Sequence, residues 1–261
     1  MRALAAVLLI LFALLGPALA PHDPHSTAAD VQLQAPSGDH WLGTDLLGRD
    51  VFSRFLYGGQ RILLIAGVAT IFGIVPGVLL GLTAAFADPR IDGLINGLLD
   101  ALLAFPGIIL ALLLLTLLGS GTPLTVALAT GAMQIATCAR VTRAAAINVR
   151  SSGYIEAALG YGAARVQIIT AHVLPNIMYT LFAYFVVMFS FNILNGAALT
   201  FLGLGGAPGT PDWGVMLAEG RTVFRAAPWV ALAPGIGISA VVIVVNWLAH
   251  SVAQTSAERV S

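Results

Sequence analysis

Lysine is absent from the chain; all twelve basic residues are arginine. That excludes a Walker A phosphate loop, a Schiff-base lysine and a polylysine patch. Cysteine is reduced to Cys138 alone, which excludes an intramolecular disulfide and a cysteine metal cluster. Its plain reading is a small apolar residue within a helix. Charge is scarce: 9% of the 261 residues carry one, where a soluble domain has about 25%. The charges balance, 12 against 12, so there is no net field for nucleic acid or an anionic membrane surface. The short alternating strands of an outer-membrane barrel are also missing, and no clear internal repeat shows.

What fills the chain instead is apolar: 58% of residues are hydrophobic and the mean hydropathy is +0.92. No soluble fold of this size hides that much apolar surface behind so little charge. The expected class is an all-α integral membrane protein. A membrane helix needs about 20 mostly apolar residues. Six stretches qualify, at 3–20, 62–87, 93–118, 124–147, 176–203 and 228–250. They divide the chain into a first helix with a following segment (1–61), a helical core (62–250) and a tail (251–261). The first stretch shares features with a signal peptide, namely Arg2 and Ala18-Leu19-Ala20. Its apolar run is longer than a signal core, and Pro21 would follow the cut directly, so a retained helix is the expectation.

Arginine placement orients the bundle. With the N-terminus inside, Arg2, Arg90, Arg140, Arg143, Arg150, Arg165 and Arg259 face the cytoplasm; Arg49, Arg54, Arg61, Arg221 and Arg225 face outward. The bias is small, and the loop 148–175 carries most of it. Both termini are then cytoplasmic. On the outer side, Leu46, Leu47, Val51, Phe55 and Leu56 share one helical face, with Arg49, Asp50, Ser53 and Arg54 polar. The expectation is a short helix at the membrane interface, capped by Thr44 or Asp45. The Gly- and Pro-rich segment 204–227 reads as a loop, with Trp213 at headgroup level.

The inner loop has nearly thirty residues where a bare connection needs a handful. Tyr154, Glu156, Ala157, Ala158 and the residues to Gly160 suit a short helix that lets another backbone approach closely. Gly162 permits a sharp turn, followed by Ala163 and Arg165, and Pro175 after Leu174 opens the next helix. The expected use is docking into a partner's groove, against the plainer reading of an interfacial loop helix.

Here the chain resembles a known family. Glu156-Ala157-Ala158, then Gly162, then Leu174-Pro175 is similar to the signature loop of ABC importer permeases. The runs His40 to Asp45 and Gly48 to Arg54, with Ala104-Phe105-Pro106, Phe201 to Gly205 and Pro211 to Gly214, resemble the dipeptide/oligopeptide/nickel subfamily, C-type subunit. Two positions depart from its usual pattern. Leu159 and Ala171 stand where that subfamily commonly has arginine. The resemblance implies a type I permease in a bacterial inner membrane, with no catalytic residue and no cofactor in this chain. Its partners would be a second homologous permease, two cytoplasmic ATPases (or one fused) that hold ATP and magnesium, an extracytoplasmic solute-binding protein and the bilayer. The helix from Glu156 to Arg165 would be the coupling helix.

Other groups read less sharply. Asp100 is a carboxylate near a membrane helix end, able to serve the pathway or to pair with Arg140 or Arg143. Asn192 and Asn195, three apart on one face, either bond across helices or line the pathway. Pro76 and Pro106 are kink sites, and Phe105 with Pro106 is a pathway candidate. His22, His25 and His40 share a segment with Asp23; a proline-rich connector is favoured there over a metal site. Two other classes compete. An ion-coupled secondary transporter needs buried coupling groups, and only Asp100 comes near. An intramembrane enzyme needs a facing Ser/His pair or a metal motif, and neither occurs in the sequence.

Overall fold

The computed structural model describes residues 10–257 apart from 13 and 120; the side chains of Glu156, Leu159 and 249–257 also lie outside the described part. Most of the 3–20 stretch, with Arg2, and Arg259 fall outside it. The order of helices is α1 Val51–Phe86, α2 Pro89–Leu103, α3 Gly107–Leu118, α4 Pro123–Arg150, α5 Gly153–Gly160, α6 Arg165–Ile168, α7 Leu174–Phe201, α8 Trp213–Val223 and α9 Trp229–Ala257. A π-turn, Ile169–Val173, joins α6 to α7. The described residues contain no β-sheet, only an isolated bridge between Thr44 and Asp50. Among the described residues, four helical runs are long and apolar enough to cross a membrane. A fifth span arises if α2 and α3 count as one, bent by 90°. That bend is where Ala104-Phe105-Pro106 interrupts the expected 93–118 stretch, because proline has no N–H to continue the ladder.

The bundle is organised by α1 against α4. Gly73, Gly77 and Gly81 recur every four residues on α1 and form a groove on one face. A Cβ at Gly77 would stand 2.6 Å from the Cβ of Cys138, and one at Gly81 would stand 2.5 Å from the Ala139 carbonyl oxygen. Cys138, fully buried, is therefore a packing residue. From the other side, a Cβ at Gly131 of α4 would stand 2.4 Å from the Ala69 carbonyl oxygen. Membrane helices gain little from hydrophobic burial against each other, so close contact of small residues has to hold them. Gly131→Ala should force α1 and α4 apart and destabilise the protein by about 1–3 kcal/mol. The check is the melting temperature of the detergent-purified protein; an unchanged value would show that the helices can separate freely.

The segment before α1 differs from the expected interfacial helix. Leu46 to Gly48 form a turn, and the helix starts at Val51 and runs on unbroken as a membrane span. Asp50 caps it, its Oδ2 accepting from the Ser53 N–H at 2.7 Å. The polar residues point inward: Arg49, Asp50, Ser53 and Arg54 are all buried. The Asp45 carboxylate accepts from Arg49 Nε at 2.7 Å and from Arg54 Nη1. Glu219 of α8 accepts from Arg49 Nη2 at 3.0 Å and Arg54 Nη1 at 2.8 Å. Two arginines thus face two carboxylates, which is why they tolerate burial.

The expected loop 204–227 likewise contains α8, and Trp213 is not at a headgroup level but 0% exposed. It stacks on Phe55, ring centroids 5.0 Å apart, and its Nε1 donates to the Phe55 carbonyl at 2.8 Å. Asp212 caps α8 through the Gly214 N–H at 2.9 Å and pairs with Arg61 at 3.3 Å.

Candidate functional site

The far end of α1 meets the loop 148–175. Arg150, the last residue of α4, sends Nη1 to the Ala85 carbonyl at 2.5 Å and lies over the Phe86 ring, 5.4 Å from its centroid. Arg165 sends Nη1 to the Phe86 carbonyl at 3.3 Å. The final carbonyls of a helix have no partners within it and carry partial negative charge. Two guanidinium groups from either side of α5 satisfy them here. In the sequence Arg150 reads only as a topology marker, and Arg165 as a topology marker and the end of the expected coupling helix. Their role as caps depends on α1 ending beside them, which the local sequence does not state.

Between those clamps sits α5. Ile155 is 0% exposed and packs in one cluster with Leu82, Ala85 and Phe86 of α1, Ala146 of α4, Ile168, Val173, and Ile177 and Leu181 of α7. Its neighbours face outward: Ala157 and Gly160 are exposed, and Tyr161 just beyond is 94% exposed. Val166 adds 72% exposure on α6. The Tyr154 hydroxyl accepts from Asn176 Nδ2 at 3.2 Å, and its ring meets His172 edge-on at 6.2 Å. Gly162 turns the chain at φ +82, with no atom within 4 Å of where a Cβ would sit. Its constraint is therefore the backbone angle alone. Leu174 and Pro175 open α7 as expected of a first-turn proline. Neither Ile155 nor the Tyr161/Val166 surface was singled out in the sequence. The signal for Ile155 is its place as an apolar residue one position before Glu156, where a short helix packed on the bundle needs an anchor on its inner face.

The pathway candidates are dispersed. Asp100 on α2 pairs with Arg140 of α4, both largely exposed. Asp92, about two turns earlier on α2, holds Arg143 through two bonds, 2.7 and 2.5 Å. Phe105 and Pro106 line a cavity of about 370 Å³ with Leu102, Met133, Gln134 and Thr137. Asn192 is buried, and its Nδ2 donates to Thr70 Oγ1 on α1 at 2.9 Å. The bond across helices that the sequence allowed for it is therefore made. Asn195 is half-buried nearby.

With this geometry in hand, comparison with known proteins decides the family. Residues 77–256 match the family of binding-protein-dependent transport system inner membrane components. The chain belongs to that family. It is 39% identical over 247 residues to the di/tripeptide transport system permease protein DppC of Pseudomonas aeruginosa, covering 92% of this chain and 81% of that one. It is 37% identical over 244 residues to the glutathione transport system permease protein GsiD of Pectobacterium atrosepticum, covering 93% and 80%. Its fold is similar to a crystal structure of an amino acid ABC transporter with histidines. That match has TM-score 0.55 and 17% identity, and covers 79% of this chain and 94% of the other. The chain is thus a non-catalytic, multi-pass permease subunit, with ATP hydrolysis on a separate subunit. Membership sets it among components of binding-protein-dependent systems rather than stand-alone ion-coupled carriers.

Proposed function

We propose that this permease forms half of the translocation pathway of an ATP-driven importer of short peptides or peptide-like solutes, and that α5 carries the stroke of the ATPases into the bundle. The pathway would run between this chain and a second, homologous permease. Two cytoplasmic ATPase subunits, or one fused chain, would supply ATP and magnesium. A solute-binding protein would deliver cargo from the other side. The substrate class rests on relatives named for di/tripeptide and glutathione transport. Nickel chelates and longer oligopeptides remain within the chemistry of such a subfamily.

The observation that carries the coupling role is the pairing of exposure with anchorage. A helix that merely connected two spans would have no need of a fully buried Ile155, nor of arginine clamps on both flanks. Force applied to its small outer face enters a cluster that contains the ends of α1, α4 and α7 together. Phe105 and Pro106, at the bend and beside a cavity, are the pathway residues this reading favours; Asn192 acts as a pin between α7 and α1. The orientation follows too: α5, with loop 148–175 and both termini, faces the cytoplasm.

Ala157→Cys and Ala207→Cys test both points at once, since the native Cys138 is buried and offers little background. In intact cells a membrane-impermeant maleimide should label position 207 and spare 157. In membranes holding the whole transporter, a short thiol crosslinker should join position 157 to an ATPase subunit. Labelling of 157 from outside, or no ATPase adduct from 157 in an active transporter, would overturn the proposal.

A further inference from the structure

The segment before α1 holds a further cluster, apart from loop 148–175. One ring nitrogen of His22, one of His40 and a carboxylate oxygen of Asp50 lie within 4.8 Å of one another. The rings of His22 and His40 are 4.9 Å apart between centroids. His25 and Asp23 stand apart from this set and serve a local turn, with the His25 N–H donating to Asp23 Oδ1 at 2.9 Å. The grouping therefore differs from the set His22, His25 and His40 with Asp23, for which the sequence favoured a connector over a metal site.

The backbone holds both histidines in place. The His22 N–H donates to Ser53 Oγ at 3.1 Å, and the Ser53 N–H in turn donates to Asp50 Oδ2 at 2.7 Å. The His40 N–H donates to Ser37 Oγ at 3.1 Å, and the His40 carbonyl accepts from the N–H groups of Ser37 and Gly43 at 2.8 and 2.9 Å. Hydrogen bonding also selects the tautomer of His22. His22 Nε2 faces the Asp39 carbonyl oxygen at 2.9 Å. A carbonyl only accepts, so that nitrogen carries the proton and Nδ1 keeps its lone pair. His40 Nδ1 faces Asp50 Oδ1 at 2.9 Å and shares a proton with it; the two atoms already stand close to the spacing of neighbouring ligands on one ion, which would displace that proton and be bound through Nδ1. An imidazole whose other N–H is held by a carbonyl or carboxylate is the form that ligates a metal, with its orientation fixed by that second bond.

We propose that His22, His40 and Asp50 form a binding site for a divalent transition ion of the zinc type. Imidazole and carboxylate donors suit zinc, and the buried Asp50 charge offsets part of the ion's own. Neighbouring donors around a tetrahedral zinc ion stand about 3.3 Å apart, so the three groups need only a small inward adjustment of side chains. The exposed ring of His22 supplies the movable donor, and water completes the shell. The bound ion would tie the stretch that follows the first helix to the N-terminus of α1.

The test uses the purified full chain, carrying an affinity tag without histidine and stripped with a chelator. Zinc is added, excess is removed by desalting, and bound metal is counted by mass spectrometry. One zinc per chain is expected in the wild type and in His25→Ala, falling at least tenfold in His22→Ala. His22→Ala retains the backbone bond to Ser53 and removes only the ring, so its zinc-free melting temperature should match the wild type. Zinc should raise the melting temperature of the wild type by several degrees and leave that of His22→Ala unmoved. No retained zinc in the wild type, or equal zinc and an equal thermal shift in His22→Ala, would overturn the proposal.

Discussion

Arg54→Met is expected to remove most folded protein from the membrane. The Arg54 side chain is 0% exposed and bonds to both Asp45 and Glu219. Its loss leaves those two carboxylates facing Arg49 alone, so a balanced buried set acquires an unmatched negative charge. Breaking a buried pair from one side costs about 3–5 kcal/mol, against a total stability of roughly 5–15 kcal/mol. The same side chain bridges α1 to the segment before α8, where its Nη2 faces the Gly209 and Thr210 carbonyls at 3.4 Å. Arg221→Met is the matching control, because Arg221 is exposed and only overlies the Phe201 ring. Yield of monodisperse protein and its melting temperature should fall sharply for the first variant and barely for the second. Equal values for both would mean that the buried charges contribute nothing to folding.

Ile155→Ala and Gly162→Val should each cut transport while leaving the span helices assembled. Truncating a buried isoleucine costs about 2–5 kcal/mol when the site cannot collapse. Here that cost falls on the attachment of α5, whose only fully buried side chain among those described is Ile155. Gly162→Val acts differently. There is space for the side chain, but φ +82 is disfavoured for a β-branched residue, at about 1–2 kcal/mol or roughly a tenfold loss of the native turn. In the reconstituted transporter, ATP turnover by the partner subunits should continue at its basal rate, while its stimulation by loaded binding protein and the uptake of peptide fall together. Gly162→Ala should show a milder form of the Gly162→Val defect. Full uptake in Ile155→Ala at normal expression would reduce the loop to a connector.

The fold class was legible because apolar runs of membrane length have few other uses, and the short helix in loop 148–175 because its residues are good helix formers. The polar knot at Arg49 and Arg54 was not. Polar residues at helical spacing look the same whether they meet water or a carboxylate, and Glu219 lies 165 residues from Arg54. Trp213 failed for a similar reason. A tryptophan among glycines and prolines suits a headgroup belt, and it is distant partners such as Phe55, 158 residues away, and Phe12 that turn it inward. The bend at 104–106 was half legible: Pro106 marks the site, but a 90° turn requires that the backbone leave the helix altogether at Phe105. On the loop, Glu156 and the alanines were visible as a motif. Ile155 was hidden in it, since one apolar residue beside a motif carries no sign of what it will touch.

The continuity of α1 gives the molecule a mechanical character. Its 36 residues make a rod about 54 Å long. At one end it is bolted by the Asp45, Arg49, Arg54 and Glu219 knot, and at the other by Arg150 and Arg165. A hydrogen-bonded helix is stiff along its axis, so load entering at Phe86 reaches Val51 with little loss unless the rod yields somewhere. Pro76 is the yielding point: it has no N–H to return to the Phe72 carbonyl, and it lies between Gly73 and Gly77, within the glycine groove that packs against α4. The compliance of the link between the two ends of the bundle is therefore set by one missing hydrogen bond, located where the neighbouring helix acts as the fulcrum.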